Sequence, residues 1–420
     1  MPSATDVQFS SQTALSPAVA RLQLIALLGL CSGVWVTRPL WTAGHAFPQI
    51  PWLQSLTAAP PAADRVLLIA AVIAVVGLIV TVIRPGLPRV RFAFQLVFSL
   101  ASVGLVLLDQ HRLQTWVLHL VVALWLVWLV PDQRGLFLVR ALAISIYVHS
   151  AVSRCDRASL EQQWELFAPL LEEWGLSTAF VSERVRLAFG ALFAAAELVV
   201  ALLLVVPRTR PLGRWASIAL HAGLLLSLGP LGLDHHQGVL VWNAVWIAQN
   251  WVLFAPSREG VGEAPSDVTG RWQLARGLAA VVILGPLLEP WGWWDHWPSW
   301  RLYSARPAVV TCYVREGRVQ DLPAAAQTFV GLPEPLSDWR PLYLDAWSFA
   351  ELRCPVYPQE RFRLAVILAI ANEAHLDDEI RVVVGSPPDR WTGRRETHEL
   401  VGERRLATEC ARFILNTAPR

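Results

Sequence analysis

His221-Ala-Gly-Leu-Leu-Leu-Ser-Leu-Gly-Pro-Leu-Gly-Leu-Asp-His-His-Gln-Gly-Val-Leu-Val-Trp-Asn243 is the stretch on which the reading of this chain turns. An apolar run carries one imidazole near its start. It breaks at Gly229-Pro230, turns at the polar corner Asp234-His235-His236, and re-enters apolar sequence toward Asn243. Just upstream, residues 187–206 are almost purely apolar, with Glu197 at their centre. A run of about 20 apolar residues crosses a hydrocarbon core of roughly 30 Å. In water the buried polar groups of such runs could find solvent. In a bilayer they must find one another, a cavity or a ligand.

Composition agrees with a membrane setting. Of 420 residues, 54% are apolar and 16% charged, and the mean hydropathy is +0.42; soluble domains carry roughly 25% charged residues. The net charge of +2 is too small for a nucleic-acid footprint, so no nucleic-acid partner is expected. All 35 basic residues are arginine, which excludes a Schiff-base lysine or a lysine general base. The 21 tryptophans suit membrane–water boundaries. Five cysteines show neither CxxC nor a Cys/His zinc spacing. Cys31 falls in an apolar run, whereas Cys155, Cys312, Cys354 and Cys410 fall outside, where a disulfide or two could form. No GxGxxG, P-loop, GxSxG or HExxH stands in a fitting context, which leaves out a nucleotide site and a hydrolase elbow.

Working outward from the opening stretch, about nine spans are expected: 22–36, 66–83, 92–108, 113–130, 136–152, 187–206, 215–233, 239–254 and 274–288. Residues 1–21 form a polar tail without the basic start of a cleaved signal, so the first run reads as a retained anchor. Residues 255–271 read as a Gly/Pro-containing loop. Residues 155–183 are acidic, with Glu161, Glu165, Glu172 and Glu173. There Leu160, Trp164, Phe167, Leu170, Leu171 and Trp174 recur at helical spacing, as in a helix lying on a membrane surface. The positive-inside rule puts the loop of Arg84, Arg89 and Arg91 in the cytoplasm. Alternation then puts the Arg208, Arg210 and Arg214 loop there too. In this cell-membrane topology the N-terminus is inside. The Asp234 corner, residues 155–183 and everything after the ninth span are outside.

Residues 291–300 contain Trp291, Trp293, Trp294, Trp297 and Trp300 and read as an interfacial collar; the functional alternative is an aromatic platform for a ligand. Beyond them, 301–420 is richer in charge. Strands are expected at 308–314, 362–371 and 380–384, and a helix at 400–416 with Leu406, Cys410, Phe413 and Ile414 on one face. The expected fold is therefore mainly α, a polytopic transmembrane helical bundle (22–290) with a small C-terminal α+β extramembrane domain.

Glu197 is the leading site candidate, since a mid-span carboxylate needs a partner, a proton or a water path. The plain alternative is a structural interhelix hydrogen bond. Tyr147 and Ser150, three residues apart, share a helical face that continues through Ser153 and Arg154; His149 lies on another face. Such a stripe is commonly interhelix glue. Arg140 lies about one turn into the fifth span, where it either joins the polar groups or snorkels to the interface. His221 and Asn243 complete a candidate ligand pocket. Asp234, His235 and His236 could hold a divalent metal with Glu161 or Glu165, or simply form a polar tip between two spans.

An arginine opening a span (Arg140), an aromatic/small stripe (Tyr147, Ser150), and a later span Leu187-Ala-Phe-Gly-Ala-Leu-Phe-Ala-Ala-Ala-Glu-Leu-Val-Val-Ala-Leu-Leu-Leu-Val with arginines after it resemble the DoxX/MauE-type membrane proteins. The multi-span body followed by an exported domain resembles the HTTM group, which includes the vitamin K-dependent gamma-carboxylases. The first resemblance covers roughly residues 136–254. It implies membrane redox or quinone chemistry, with Glu197 and Arg140 lining the polar core. The carboxylase branch relies on a lysine base, which this chain lacks.

Two functions are therefore in view. One is a membrane protein that holds a lipophilic, quinone-like molecule near Glu197, His221 and Asn243 in support of redox chemistry. The other is a non-enzymatic scaffold or transporter-like protein whose C-terminal domain binds a protein partner outside.

Overall fold

A computed structural model of the protein describes residues 15–84, 86–256 and 269–420. Most of the expected tail at 1–21 and of the loop at 255–271 lies outside the described residues.

The chain is mainly helical with one small antiparallel sheet. All nine apolar runs fold as helices: α1 (Pro17–Val36), α2 (Ala62–Ile83), α3 (Pro88–Leu108), α4 (Thr115–Leu129), α5 (Gln133–Ser153), α7 (Glu183–Val205), α8 (Arg210–Leu228), α9 (Gln237–Leu253) and α10 (Thr269–Leu284). Between α5 and α7 lies α6 (Arg157–Glu173). Six helices among the described residues are long and apolar enough to cross a membrane: α1, α2, α3, α5, α7, and α10 with the 3-10 turn that extends it to Trp291. The other three are shorter or more polar. α4, with 15 residues, is only about 22 Å long, less than a hydrocarbon core. It is apolar nearly all round and almost wholly buried, as befits a helix inside a bundle.

α1 packs on α2, α4 and α9; α5 packs on α4, α7, α9 and α10. α2 and α3 form a hairpin on the flank. It turns Val66, Ile69, Val72, Ile73, Val76, Phe92, Leu96 and Leu100 outward, exposed. So broad an apolar face is one that a water-soluble monomer does not carry.

The C-terminal part forms a sheet of order β2-β1-β3-β4, from β1 (Val309–Arg315), β2 (Trp339–Leu342), β3 (Ile380–Gly385) and β4 (Thr397–Val401), all neighbours antiparallel. Val310, Cys312 and Val314 of β1 face Val384, Val382 and Ile380 of β3 on the buried side. Three helices accompany the sheet after the short turn α11 (Ala324–Gln327): α12 (Leu344–Leu352), α13 (Glu360–Glu373) and α14 (Glu403–Cys410). The strand expected at 362–371 is corrected here: those residues are α13. Phe362, Leu364, Ala365, Val366, Ile367, Ile370 and Ala371 are all buried. A run buried on every side shows no helical period, so periodicity cannot separate it from a buried strand. The helix expected at 400–416 is also shorter, because Leu400 belongs to β4. All five cysteines are unbridged.

The C-terminal part shares its core with the helical body. Phe47 packs on Trp347 (ring centroids 4.9 Å) and His111 on Phe362 (5.2 Å). His111 Nε2 lies 2.7 Å from Pro355 O, Gln110 Nε2 donates to Asn416 O at 2.9 Å, and Arg157 N donates to Arg390 O at 3.0 Å. His236 packs on Phe349. The segments between α1 and α2, α3 and α4, α5 and α7, and α8 and α9 thus all meet the C-terminal part at one end of the bundle. Arg89, Arg91 and Arg271 line a cleft with Pro131, away from those contacts.

Candidate functional site

A cavity of about 70 Å³ lies where α5, α7, α8 and α9 converge. α6 and the segment from Trp300 to Tyr303 close it. Helical spacing delivers the polar groups: Tyr147, Ser150 and Arg154 run up one face at the end of α5, Ser217 and His221 lie four apart on α8, and Asn243, Trp246 and Asn250 share a face of α9. Glu197 comes from mid-α7. Apart from Gln163 the remaining helical wall is apolar, with Ile146, Phe167, Phe193, Leu220, Leu224 and Val239.

Two polar clusters line this space. In the first, Arg154 Nη1 lies 3.1 Å from Glu197 Oε1, and Arg154 Nη2 donates to Ser150 Oγ at 2.6 Å. Ser150 Oγ stands 3.4 Å from Glu197 Oε1. In the second, Asn243 Nδ2 donates to Val239 O at 2.8 Å, which turns Asn243 Oδ1 toward His221 Nδ1 at 2.7 Å. His221 Nδ1 must then carry the proton, and its Nε2 accepts from Tyr147 OH at 2.7 Å. Asn250 Nδ2 donates to the Tyr147 oxygen at 2.8 Å and to Ser217 Oγ at 3.2 Å. His221 stacks on Trp246 (5.3 Å, interplanar 4°), and His119 stacks on the same indole (4.6 Å, 17°). Trp242 Nε1 donates to His119 Nδ1 at 3.2 Å, so His119 Nε2 bears its proton. The Gln249 amide therefore serves His119 best with its oxygen turned inward, which also satisfies the otherwise unpartnered Gln249 Oε1.

Four buried polar atoms on cavity-lining residues have no partner: Arg154 Nε, Glu197 Oε2, Tyr303 OH and Trp300 Nε1. Burial holds the Tyr303 phenol far above its usual pKa, so it stays a neutral donor. Trp300 is held at φ 62° while almost fully buried, a left-handed conformation that costs a bulky residue energy.

Of the expected site residues, Glu197, His221, Asn243, Tyr147 and Ser150 come together here. Arg140 does not: its Nε bonds Leu253 O, remote from Glu197, and the cation beside Glu197 is Arg154. Arg154 lies at the C-terminal end of the Tyr147–Ser150 stripe, so spacing reaches it where the resemblance pointed to Arg140. His149 bonds Ile283 O on another face. Asp234, His235 and His236 gather no metal set: among the described residues no group of three or more His, Cys, Asp or Glu converges. Burial pushes the His236 imidazole down to about 3, with His235 adding to the effect, so it is neutral. The tryptophan collar divides. Trp291 and Trp293 are exposed, whereas Trp297 and Trp300 are buried and Trp300 lines the cavity. The face of α6 bearing Trp164, Phe167 and Leu170 packs inward, on α7 and over the cavity, and is not free to lie on lipid. His119, Trp246, Asn250, Ser217 and Tyr303 were not expected; the three-and-four spacing of Asn243, Trp246 and Asn250 is the signal that could have found two of them.

No protein-family model, curated protein or solved structure matches this chain. The DoxX/MauE-like and HTTM-like features therefore rest on the quoted residues alone.

Proposed function

We propose that this is a multi-pass membrane protein with nine spans, its N-terminus cytoplasmic and its C-terminal domain outside the cell membrane. In it the cavity under α6 binds the polar head of a lipophilic, quinone-like molecule in support of membrane redox chemistry. One observation carries the binding reading. Arg154 Nε, Glu197 Oε2, Tyr303 OH and Trp300 Nε1 are buried and unpartnered around a space whose remaining wall is largely apolar. Each such group costs roughly 1–3 kcal/mol if left unmet, and a ligand that offers both acceptor and donor oxygens removes that cost. A quinone carbonyl accepts from the indole N–H or the phenol; a quinol hydroxyl donates to the carboxylate.

The cavity, about 70 Å³, has room for a few water molecules and not for a quinone ring. A ring enters when α6 yields. The nine-span topology is supported by geometry as well as charge, because the four segments expected outside all meet the C-terminal part at one end of the bundle.

The test is solvent extraction of the purified full chain, with prenylquinones and other lipids quantified by mass spectrometry. Near-stoichiometric quinone is expected, falling at least tenfold in Glu197→Gln and Tyr303→Phe while gel-filtration behaviour stays normal. Equal quinone in wild type and both variants sinks the assignment.

A further inference from the structure

On the flank of the bundle, α3, α4 and α10 enclose an apolar groove of about 440 Å³ walled by Phe92, Leu96, Trp125, Leu129, Leu274 and Leu278. It opens into a cleft of about 520 Å³; Phe92, Gln95, Trp128 and Arg271 line both. The cleft adds Arg89 and Arg91. Three guanidinium groups thus stand at one end of a greasy slot, and among the described residues no carboxylate lines either space. Arg89 and Arg271 make no ion pair among the described residues. Arg91 Nη2 donates to Thr81 O at 2.5 Å, but Arg91 Nε and the Trp128 indole N–H are buried donors without acceptors. These donors match a group with negative charge and several acceptor oxygens, continuous with a long apolar body.

We propose that this groove is a site for one anionic phospholipid, with its phosphodiester on Arg89, Arg91 and Arg271 and an acyl chain along Phe92, Leu96, Leu274 and Leu278. Charge complementarity selects it. A phosphate supplies the acceptors that the unpartnered donors need, whereas the cationic head of a zwitterionic lipid is repelled by the same three arginines. The site lies on the face that the positive-inside rule puts in the cytoplasm, where anionic lipids attract basic pockets. The inference rests on the membrane-spanning reading and is independent of what occupies the Glu197 cavity.

The experiment titrates the detergent-purified full chain with phosphatidylglycerol or phosphatidylcholine carrying brominated acyl chains. It reads tryptophan quenching, because Trp125 and Trp128 line the groove, and lipid retention by native mass spectrometry. Phosphatidylglycerol is expected to bind at least tenfold more tightly than phosphatidylcholine. Each of Arg89→Gln, Arg91→Gln and Arg271→Gln should weaken it roughly fivefold. Leu274→Trp, which fills the slot and leaves the charges alone, should abolish lipid retention in native mass spectrometry. If an arginine variant fails to fold, Leu274→Trp and the remaining single variants carry the test. Equal affinity for the two lipids overturns the proposal, as does a preference untouched by these substitutions. Full competition by soluble glycerol phosphate reduces the site to a headgroup pocket, and a lipid-insensitive dimer blocked by Leu274→Trp assigns the groove to a second copy; either result also overturns it.

Discussion

In the cavity, Arg154 and Glu197 are both nearly buried and lie 3.1 Å apart. Removing one partner of such a pair leaves an uncompensated charge, at a cost of ~3–5 kcal/mol. Arg154→Met should therefore lower the thermal midpoint in detergent sharply, and adding Glu197→Gln to it should restore most of the loss. Additive losses in the double variant would rule out direct coupling. A second prediction concerns pH. Burial pushes the His111 imidazole down to about 3 and the neighbouring Asp109 carboxyl up to about 6. The depressed His111 contributes stability above its unfolded value near 6.5 and loses it as pH falls. The raised Asp109 contributes stability below its unfolded value near 3.8 and loses it as pH rises through 6. Between pH 7 and pH 5, His111 costs about 2 kcal/mol and Asp109 returns about 1 kcal/mol. The wild type should weaken on acidification, and His111→Asn should weaken by about 2 kcal/mol less over the same pH range. The same slope in both proteins, measured by denaturant midpoints, would falsify this opposition.

The helix α6 is a lid because of one glycine. A Cβ at Gly190 of α7 would sit 2.3 Å from the backbone oxygen of Leu160 on α6. A backbone atom cannot swing aside as a side chain does, so Gly190→Ala must push the two helices apart. The expected cost is ~1–3 kcal/mol. The protein should then be cut faster by protease within residues 155–183 and should lose the proposed quinone-like ligand more quickly. Unchanged cleavage and retention would mean that α6 does not close the cavity. Lid opening also bears on ligand size, since a headgroup larger than a few waters needs that motion to enter.

Across the molecule, the two parts are fastened by buried ion pairs as well as by their common core. Asp64, at the start of α2, is fully buried between Arg112 and Arg420. Arg361 forks onto Asp295, with Nη1 to Oδ1 at 2.7 Å, while Tyr357 OH donates to Asp295 Oδ2 at 2.6 Å. Asp64→Asn leaves two guanidinium groups facing each other without their anion. It should cost ~3–5 kcal/mol and raise amide exchange across residues 301–420 before the helical body unfolds. Uniform exchange in variant and wild type would mean that the pair adds nothing to docking. Topology belongs at this level too: reporter fusions after Arg208 and after Trp300 should fall on opposite sides of the membrane, and the same side for both would dismantle the nine-span arrangement.

Hydropathy along the chain was enough to find the nine apolar helices of the body, a mixed helix-and-strand part after residue 300, and the polar groups Glu197, His221, Asn243, Tyr147 and Ser150 that meet at the cavity, because an ionisable or hydrogen-bonding group in an apolar run stands out without any knowledge of its neighbours. It could not tell that Arg154 and not Arg140 meets Glu197. Both arginines sit near the ends of one helix, and only packing determines which end faces α7. Nor could it separate α13 from a strand, since burial on all sides erases the period that distinguishes them. The stacked His119 and Trp246, the inward-turned Trp300 and the α6 lid depend on contacts between segments far apart in sequence. Those contacts are set by how helices fit against one another, a property that no single stretch of residues carries.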